Sequence, residues 1–411
     1  MTNELFEQAL GIAAPWYVNG VDFNVGERRL TVNVDFVAGS RFTVEGHEGE
    51  HPVHDTVVKR YQHLNFFQHQ CFLEARVPRC KLPDGSVRHV APDWEGRLSG
   101  FTLLFEALVM AMCQQMSFSG VSRIVGISVY RTMAICNKYV EESVAVADHS
   151  EVKRLSIDET SKARGHDYIT LAADADARKV IFVTEGKDAG TIKELAAELI
   201  AHGGDPAAIE SVSIDMSPAF IKGVTEHLPQ AKITFDKFHV VAKASAALDE
   251  TRRKEQRGDP ALKGMRWKLL RNPESLDRED RVELDALVAQ LTTKRTARAW
   301  LYKEQLREIM GRKQINVVRA LLEQWCVNVM RSKVEPMKAV AAMIRRHMDG
   351  IIAWTTSRQT NGFIEAVNGL FQSAKRKARG YSNFRTIRTV VFLIAGKLDF
   401  SKINPHCHQP T

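Results

Sequence analysis

The sequence predicts an α/β protein. Its core is built on a mixed sheet, preceded by a β-rich N-terminal module and a helix-turn-helix, and followed by a long helical stretch. Three observations predict this class. Between residues 151 and 244, three strand-like segments are followed by helix, strand, helix and strand. Residues 20–90 alternate or cluster apolar residues between Gly-containing turns. After residue 239 almost every segment reads helical up to 355. A chain of 411 residues exceeds one small core, so several structural units are expected. The pattern divides it into 1–98, β-rich; 99–150, helical with the helix-turn-helix; 151–244, α/β; 245–355, helical; and 356–411, a last helix, a basic segment and a tail.

In the first segment VDFNV, RLTVNVDFV and CFLEARVPR read as strands, with GSRF and PDGS as turns. FTLLFEALVMAMC (101–113) is the most apolar run; it is too short to span a bilayer and carries Glu106, so a buried helix is expected. SFSGVSRIVGISVYRTMAICNKYV (117–140) has the outline of a helix-turn-helix, turning at Gly126 with Ser128 capping the second helix. Tyr130, Arg131 and Lys138 are then free to meet DNA, although a plain αα-hairpin satisfies the same pattern.

KRLSIDE, DYITLAADAD and KVIFVTEG read as an antiparallel meander. TIKELAAELIAHG (191–203) reads as a helix capped by Thr191 and ended by Gly203 or Gly204. IESVSID, SPAFIKGVTEHL and AKITFD supply strand, helix and strand.

The formal charge of +8 favours a polyanionic partner, and it is concentrated. Residues 251–271 hold eight basic residues against two acids, including Arg252, Arg253 and Lys254, and resemble a surface helix able to track a phosphate backbone. Residues 373–390 hold six basic residues and no acid, with Lys375, Arg376, Lys377 and Arg379 leading and Tyr381 and Phe384 interleaved. The six cysteines contain no CxxC, which points to a reduced compartment without a disulfide framework. The N-terminus lacks the charged and apolar regions of a signal peptide, and Cys407 falls in what reads as an unordered tail.

Three strand-like segments end on aspartate: LSID at Asp158, VSID at Asp215 and ITFD at Asp236. Because alternate side chains share a strand face, each aspartate lies opposite the apolar pair that precedes it. Helix capping accounts well for Asp236, less well for Asp215, where Ser217-Pro218 is the better cap, and poorly for Asp158. In TNGFIEAVNGLFQSAKRKARGY, Asn361, Glu365, Asn368 and Gln372 form one polar stripe on a helix. Three amides around a single carboxylate suit the lining of a site better than a solvated face. Two strand-end aspartates and a helical glutamate can hold two Mg²⁺ ions, the arrangement used for phosphodiester chemistry.

The chain resembles the DDE transposases of bacterial insertion sequences, and looks most like the ISL-three family. The resemblance rests on VHDTVVKRYQHLNFFQHQCFLEARVPR, SGFTLLFEALVM, SIDETSKARGHDYITL, FDKFHVV, LKGMRWKLLRNPESL and TNGFIEAVNGLFQSAKRKARGY, in that order. It implies a ribonuclease-H-like catalytic domain with a helical insertion (245–355), and a metal-binding catalytic triad of Asp158, Asp215 and Glu365. It makes Asp236 and His239 a D-x-x-H accessory element, with Asn368 alongside, although His239 also fits a packed helix-start histidine.

The resemblance further implies Mg²⁺ (two ions, with Mn²⁺ able to substitute), terminal inverted repeats and target DNA as partners, a homo-oligomer on DNA, no membrane, and the bacterial cytoplasm. Many relatives carry an N-terminal zinc module with paired cysteines. Here only His47, His51 and Cys80 are available at poor spacing, so zinc is not expected. Other readings are a nuclease or junction resolvase on the same fold, and a DNA-binding repressor with a silent catalytic centre.

Overall fold

The computed structural model describes residues 2–407 apart from positions 164, 166, 291–293 and 358, so Arg164 and His166 of the SIDETSKARGHDYITL motif lie outside the described residues. Two compact units emerge: residues 1–147 with 371–411, and residues 148–370.

The first unit opens with α1 (Thr2–Leu10) and a sheet of β1 (Trp16–Asn24), β2 (Arg29–Phe36), β3 (Arg41–Val44), β4 (His47–Phe66), β5 (His69–Lys81) and β6 (Val87–His89). The strand order is β1-β2-β5-β4-β3, with β6 on β5. All pairs are antiparallel except β2 with β5. The alternation seen in RLTVNVDF is the reason this strand has one buried face: Leu30, Val32, Val34 and Phe36 point inward against Trp16, Phe42 and Leu73. The expected β-rich module is therefore present. Within it, Cys80 Sγ faces the His51 backbone carbonyl at 3.6 Å, while His47 is exposed.

Three helices follow: α2 (Leu103–Gln115), α3 (Phe118–Val125) and α4 (Val129–Ala145). Thr102, Ser117 and Ser128 cap them through their side-chain oxygens, and Gly126 makes the α3–α4 turn at φ +73°. Glu106 is fully buried in α2, as its apolar neighbours require. Its carboxylate accepts from Arg97 N, Leu98 N and Tyr139 Oη, while burial pushes its pKa up.

The C-terminal segment differs from expectation. It is docked through residue 407: Asn404 Nδ2 donates to Leu103 O and Tyr139 Oη, and Arg97 donates to Ile403 O. Satisfying those buried groups binds the tail; His408 lies outside the described residues.

The second unit is built on β7 (Arg154–Ser161), β8 (Tyr168–Asp174), β9 (Lys179–Glu185), β10 (Ser211–Ile214) and β11 (Lys232–Phe235). The order is β11-β10-β7-β8-β9. β7, β8 and β9 form the expected meander, and β10 runs parallel to both β7 and β11. The crossovers carry α5 (Ala189–Ala201) and α6 (Pro218–His227). α5 begins earlier than predicted because Asp188, not Thr191, caps it; its carboxylate accepts from Gly190 N and Thr191 N.

Helices α7 (Lys237–Glu255), α8 (Arg266–Leu270), α9 (Arg278–Val288), α10 (Arg295–Gly311), α11 (Ile315–Met330), α12 (Glu335–Arg346) and α13 (Met348–Ser357) complete the unit. Their core residues, among them Trp300, Leu322, Trp325 and Ile344, form one buried cluster with the sheet's Leu155, Ile157, Val212 and Ile214. The 151–244 and 245–355 segments are thus one core. Residues 251–271 are not a continuous surface helix. α7 stops at Glu255, whose carboxylate turns away to cap α10 at Arg295 N and Thr296 N. α14 (Gly362–Ala378) and α15 (Phe384–Ala395) end the fold, and the boundary between units falls within α14.

Candidate active site

Three strand ends build the site. Main-chain pairing of β10 with β7 stops at Ser213 and Ser156, and continuing that register by two residues aligns Asp215 with Asp158. Pairing of β10 with β11 ends at Ile214 and Phe235, so Asp236 falls next in the same row. The recurring apolar-hydroxyl-apolar-Asp pattern therefore records a shared register across three adjacent parallel strands, at the carboxyl-end switch point where α/β sheets place ligands.

The three aspartates have different surroundings. Asp158 Oδ1 accepts from Glu159 N (3.0 Å) and Oδ2 from Asn368 Nδ2 (2.8 Å). Burial pushes its pKa up to about 6, and the Asp215 carboxylate adds to the rise; Glu159 N, His239 and Asn368 oppose it. Asp215 Oδ1 accepts from Ser217 N at 2.9 Å; Ser217 holds the N-cap position of α6 but makes no side-chain capping bond. Asp236 is fully buried and used structurally: Oδ1 accepts from Phe238 N (2.8 Å), capping α7, and Oδ2 from Asn361 N (2.6 Å).

That last bond fixes where α14 starts. Asn361 O accepts from Glu365 N in the first turn, and Gln359 just before it bridges Leu155 O and Ser211 Oγ. The helix is thereby tied to β7 and β10, which sets Asn368 on Asp158. Glu365, one turn earlier, is half exposed and lies 3.2 Å from His239 Nε2. Asn368 therefore holds Asp158, whereas His239 Nε2 lies beside Glu365 without a hydrogen bond to it. Among the described residues no three His, Cys, Asp or Glu side chains converge on a single ion position.

A divalent cation nevertheless suits the chemistry present. Asp158 and Asp215 repel one another, and Glu159 Oε2 and Asn368 Oδ1 are buried without a hydrogen-bond partner. Mg²⁺ is commonly held by one or two carboxylates, the rest of its shell coming from water and substrate phosphates.

The nominated DNA-facing residues separate into free and engaged groups. Tyr130, at the start of α4, is 80% exposed. Arg131 is not available: its guanidinium stacks on Phe101 at 3.8 Å and donates to Ser99 O. Lys138 pairs with Glu142 at 2.8 Å. Arg252 is also withdrawn, buried to 7% exposure with Asp249 at 2.8 Å and Gln256 as partners. Arg253 and Lys254 are exposed, Lys254 beside Glu250. Lys375 lies over Phe371, with its pKa lowered first by burial and then by Arg376. Arg376, Lys377 and Arg379 are exposed around the end of α14.

Two comparisons bear on this arrangement. A family model described as a transposase, the DDE domain of ISL3, matches residues 155–391, and the helix-turn-helix domain of transposase family ISL3 matches residues 90–140. The chain belongs to the ISL3 family of DDE transposases. It is 26% identical over 340 residues to the transposase for insertion sequence element IS1001 of Bordetella parapertussis, covering 80% of this chain and 82% of the relative. It is 29% identical over 367 residues to the transposase for insertion sequence element IS1557 of Mycobacterium tuberculosis, covering 82% and 81% respectively. The transposase therefore joins a helix-turn-helix to a DDE domain. Among the described residues no helix is long and apolar enough to cross a membrane.

Sequence reasoning missed Glu159 and Gln359; it placed Asn361 in the polar stripe but did not foresee its bond to Asp236. Burial raises the Glu159 pKa, as do Asp215 and Asp158. Its signal was adjacency to Asp158 in SIDE, masked because strand alternation sends neighbours to opposite faces. Gln359 precedes the polar stripe, outside its helical period, and nothing in the sequence marks it.

Proposed function

We propose that this transposase binds the terminal inverted repeats of its insertion sequence through the N-terminal module and helix-turn-helix, then cleaves and rejoins DNA at a Mg²⁺-dependent site of Asp158, Asp215 and Glu365. The single observation that carries the reading is the alignment of Asp158 and Asp215 at the ends of adjacent parallel strands, with Asn368 of α14 bonded to Asp158. The strand order and orientation fit a ribonuclease-H-like fold interrupted by helical residues 245–355.

Asp158, Asp215 and Glu365 would hold two Mg²⁺ ions, or Mn²⁺ in their place. Bound there, the ions supply charge neutralisation and activation of the attacking oxygen. The chain's own groups set up that site. Asn368 and Glu159 N orient Asp158, Ser217 N orients Asp215, and His239 lies 3.2 Å from Glu365, within reach of it when protonated. In the first step a water oxygen bonds to phosphorus at the element's end and the P–O3′ bond breaks, leaving a 3′-hydroxyl. In the second that hydroxyl attacks a target phosphodiester and displaces its 3′-oxygen, so no external energy source is needed. Joining two ends calls for a homo-oligomer on DNA, acting in the bacterial cytoplasm.

The test uses full-length protein and duplexes carrying the genomic sequence that flanks its coding region, with Mg²⁺, Mn²⁺ or EDTA. Asp158→Asn, Asp215→Asn and Glu365→Gln should each abolish nicking and joining while retaining duplex binding. Nicking at the wild-type rate in any of them removes that residue from the site.

A further inference from the structure

We propose that the β4–β5 hairpin tip is a second DNA-contacting element, whose Phe67 ring stacks against a base step beside the recognition helix. The proposal rests on the reading that the helix-turn-helix binds duplex DNA, and it concerns residues outside the 90–140 helix-turn-helix match.

The hairpin turns at Phe66-Phe67-Gln68, and Phe67 is 85% exposed. Its backbone sits in the left-handed region at φ +52°, a conformation costly for a bulky L-residue and free for glycine. The turn itself selects against an aromatic side chain at this position, so folding does not account for the ring. Phe66 braces it edge-on with ring centroids 4.8 Å apart, and Phe66 is backed by Phe6 of α1 at 5.9 Å. The ring is therefore both presented and supported.

Its position ties it to the helix-turn-helix. Gln62 Nε2, on β4, donates to Val125 O at the end of α3 (3.1 Å). Gln70, three residues past Phe67, packs so closely on the turn that a Cβ on Gly126 would lie 2.7 Å from its Nε2. The hairpin base is thus the platform of the α3–α4 turn, and its tip extends beyond that platform by only about three residues, roughly 10 Å of strand. Exposed Tyr130 starts α4, the end of a recognition helix that meets base edges.

The charge suits a polyanion. Lys59 and Arg60, lower on the hairpin, pair with Glu95 and Glu74, so the charge nearest the tip is exposed Arg28 of the adjoining β1–β2 turn, whose carbonyl accepts from Gln70 N. An exposed aromatic ring braced by other rings, with a cation beside it, is a device by which proteins wedge or stack on bases.

Phe67→Gly provides the test, because glycine relieves the backbone strain and so removes the ring without unfolding the turn. Full-length protein is titrated against duplexes tiling the DNA that flanks its coding region, with 2-aminopurine placed in turn at each step of the bound segment. The wild-type chain should raise fluorescence at one step, reporting unstacking. Phe67→Gly should abolish that signal and weaken binding roughly 5- to 150-fold, the equivalent of one base–aromatic stack of about 1–3 kcal/mol. Phe67→Trp should preserve both. If Phe67→Gly binds like wild type with no change in fluorescence while Tyr130→Ala loses affinity, the tip proposal is overturned and the helix-turn-helix reading stands. If Phe67→Gly alters the oligomeric state at unchanged DNA affinity, the tip is a protein contact and the proposal falls. If the wild-type chain binds none of the flanking duplexes, both readings fall together.

Discussion

Asn368 Nδ2 lies 2.8 Å from Asp158 Oδ2, joining a helix to a strand 210 residues earlier in the chain. The bond orients the carboxylate and opposes the rise in its pKa that burial causes. Asn368→Ala should therefore slow strand cleavage by roughly 10- to 100-fold, as loss of a group that orients a metal ligand commonly does. The acidic limb of its pH–rate profile should move to higher pH, because the variant loses one of the groups that lower the Asp158 pKa. Single-turnover nicking across roughly pH 5–9 measures both. An unchanged profile would show that Asn368 does not act on Asp158.

The desolvated carboxylate has a cost for the apo protein. Asp158 has a folded pKa of about 6 against 3.8 for the ordinary group, so the folded chain holds more protons than the unfolded chain between those values. Unfolding free energy contributed by Asp158 therefore falls as pH rises through this window. Above it, the ionised group costs the native state on the order of 3 kcal/mol, at about 1.4 kcal/mol per pKa unit. Asp158→Asn should unfold at higher denaturant than wild type near pH 8 in EDTA, with a smaller gap near pH 5. Added Mg²⁺ should stabilise wild type and leave the variant unchanged. Equilibrium urea unfolding checks this, and a less stable variant near pH 8 contradicts the desolvation account.

How legible the site was in the sequence depended on the kind of interaction. The strands and their aspartates were readable because period-two alternation is a local property of LSID, VSID and ITFD, whereas the register that pairs Ser156 with Ser213 was not. The polar stripe of α14 was readable for the same reason at helical period. Which carboxylate each polar group would meet was not, because Asn368–Asp158, His239–Glu365 and Asn361–Asp236 are set by how α14 docks. Charge was the least reliable guide. Arg131 and Arg252 sit in runs that look solvent-facing, yet a cation–π stack and a buried ion pair engage them. The tail read as unordered because its few polar residues give no periodic signal, while Asn404 alone makes two buried bonds.

Asp236 and Asp215 occupy adjacent places in one row but should behave differently when altered. Both Asp236 oxygens are committed to backbone donors, Phe238 N and Asn361 N, in a fully buried position. Asp236→Ala leaves those donors unpaired and should cost about 1–3 kcal/mol for each, lowering the melting temperature while any folded fraction still binds duplex DNA. Asp215→Ala should remove cleavage with little loss of stability, since it relieves repulsion of Asp158. Thermal melts alongside nicking assays separate the two, and an Asp236→Ala variant as stable as wild type would mean the cap contributes little.

The arginines of α7 offer a similar contrast between neighbours. Arg252 is buried against Asp249 and Gln256, whereas the Arg253 side chain is two-thirds exposed. Removing Arg252 takes away the closest and most buried partner of Asp249 and leaves it the longer contacts to Arg253 (3.5 Å) and Arg266 (3.6 Å), so Arg252→Ala should destabilise the protein by about 1–3 kcal/mol. Any loss of DNA binding should then track unfolding. Arg253→Ala should leave stability nearly unchanged. If α7 follows the phosphate backbone, Arg253→Ala should also reduce the salt dependence of DNA binding, lowering the slope of log K against log salt by about one. Binding isotherms at several salt concentrations decide it: an unaltered slope for Arg253→Ala excludes this part of α7 from the DNA path.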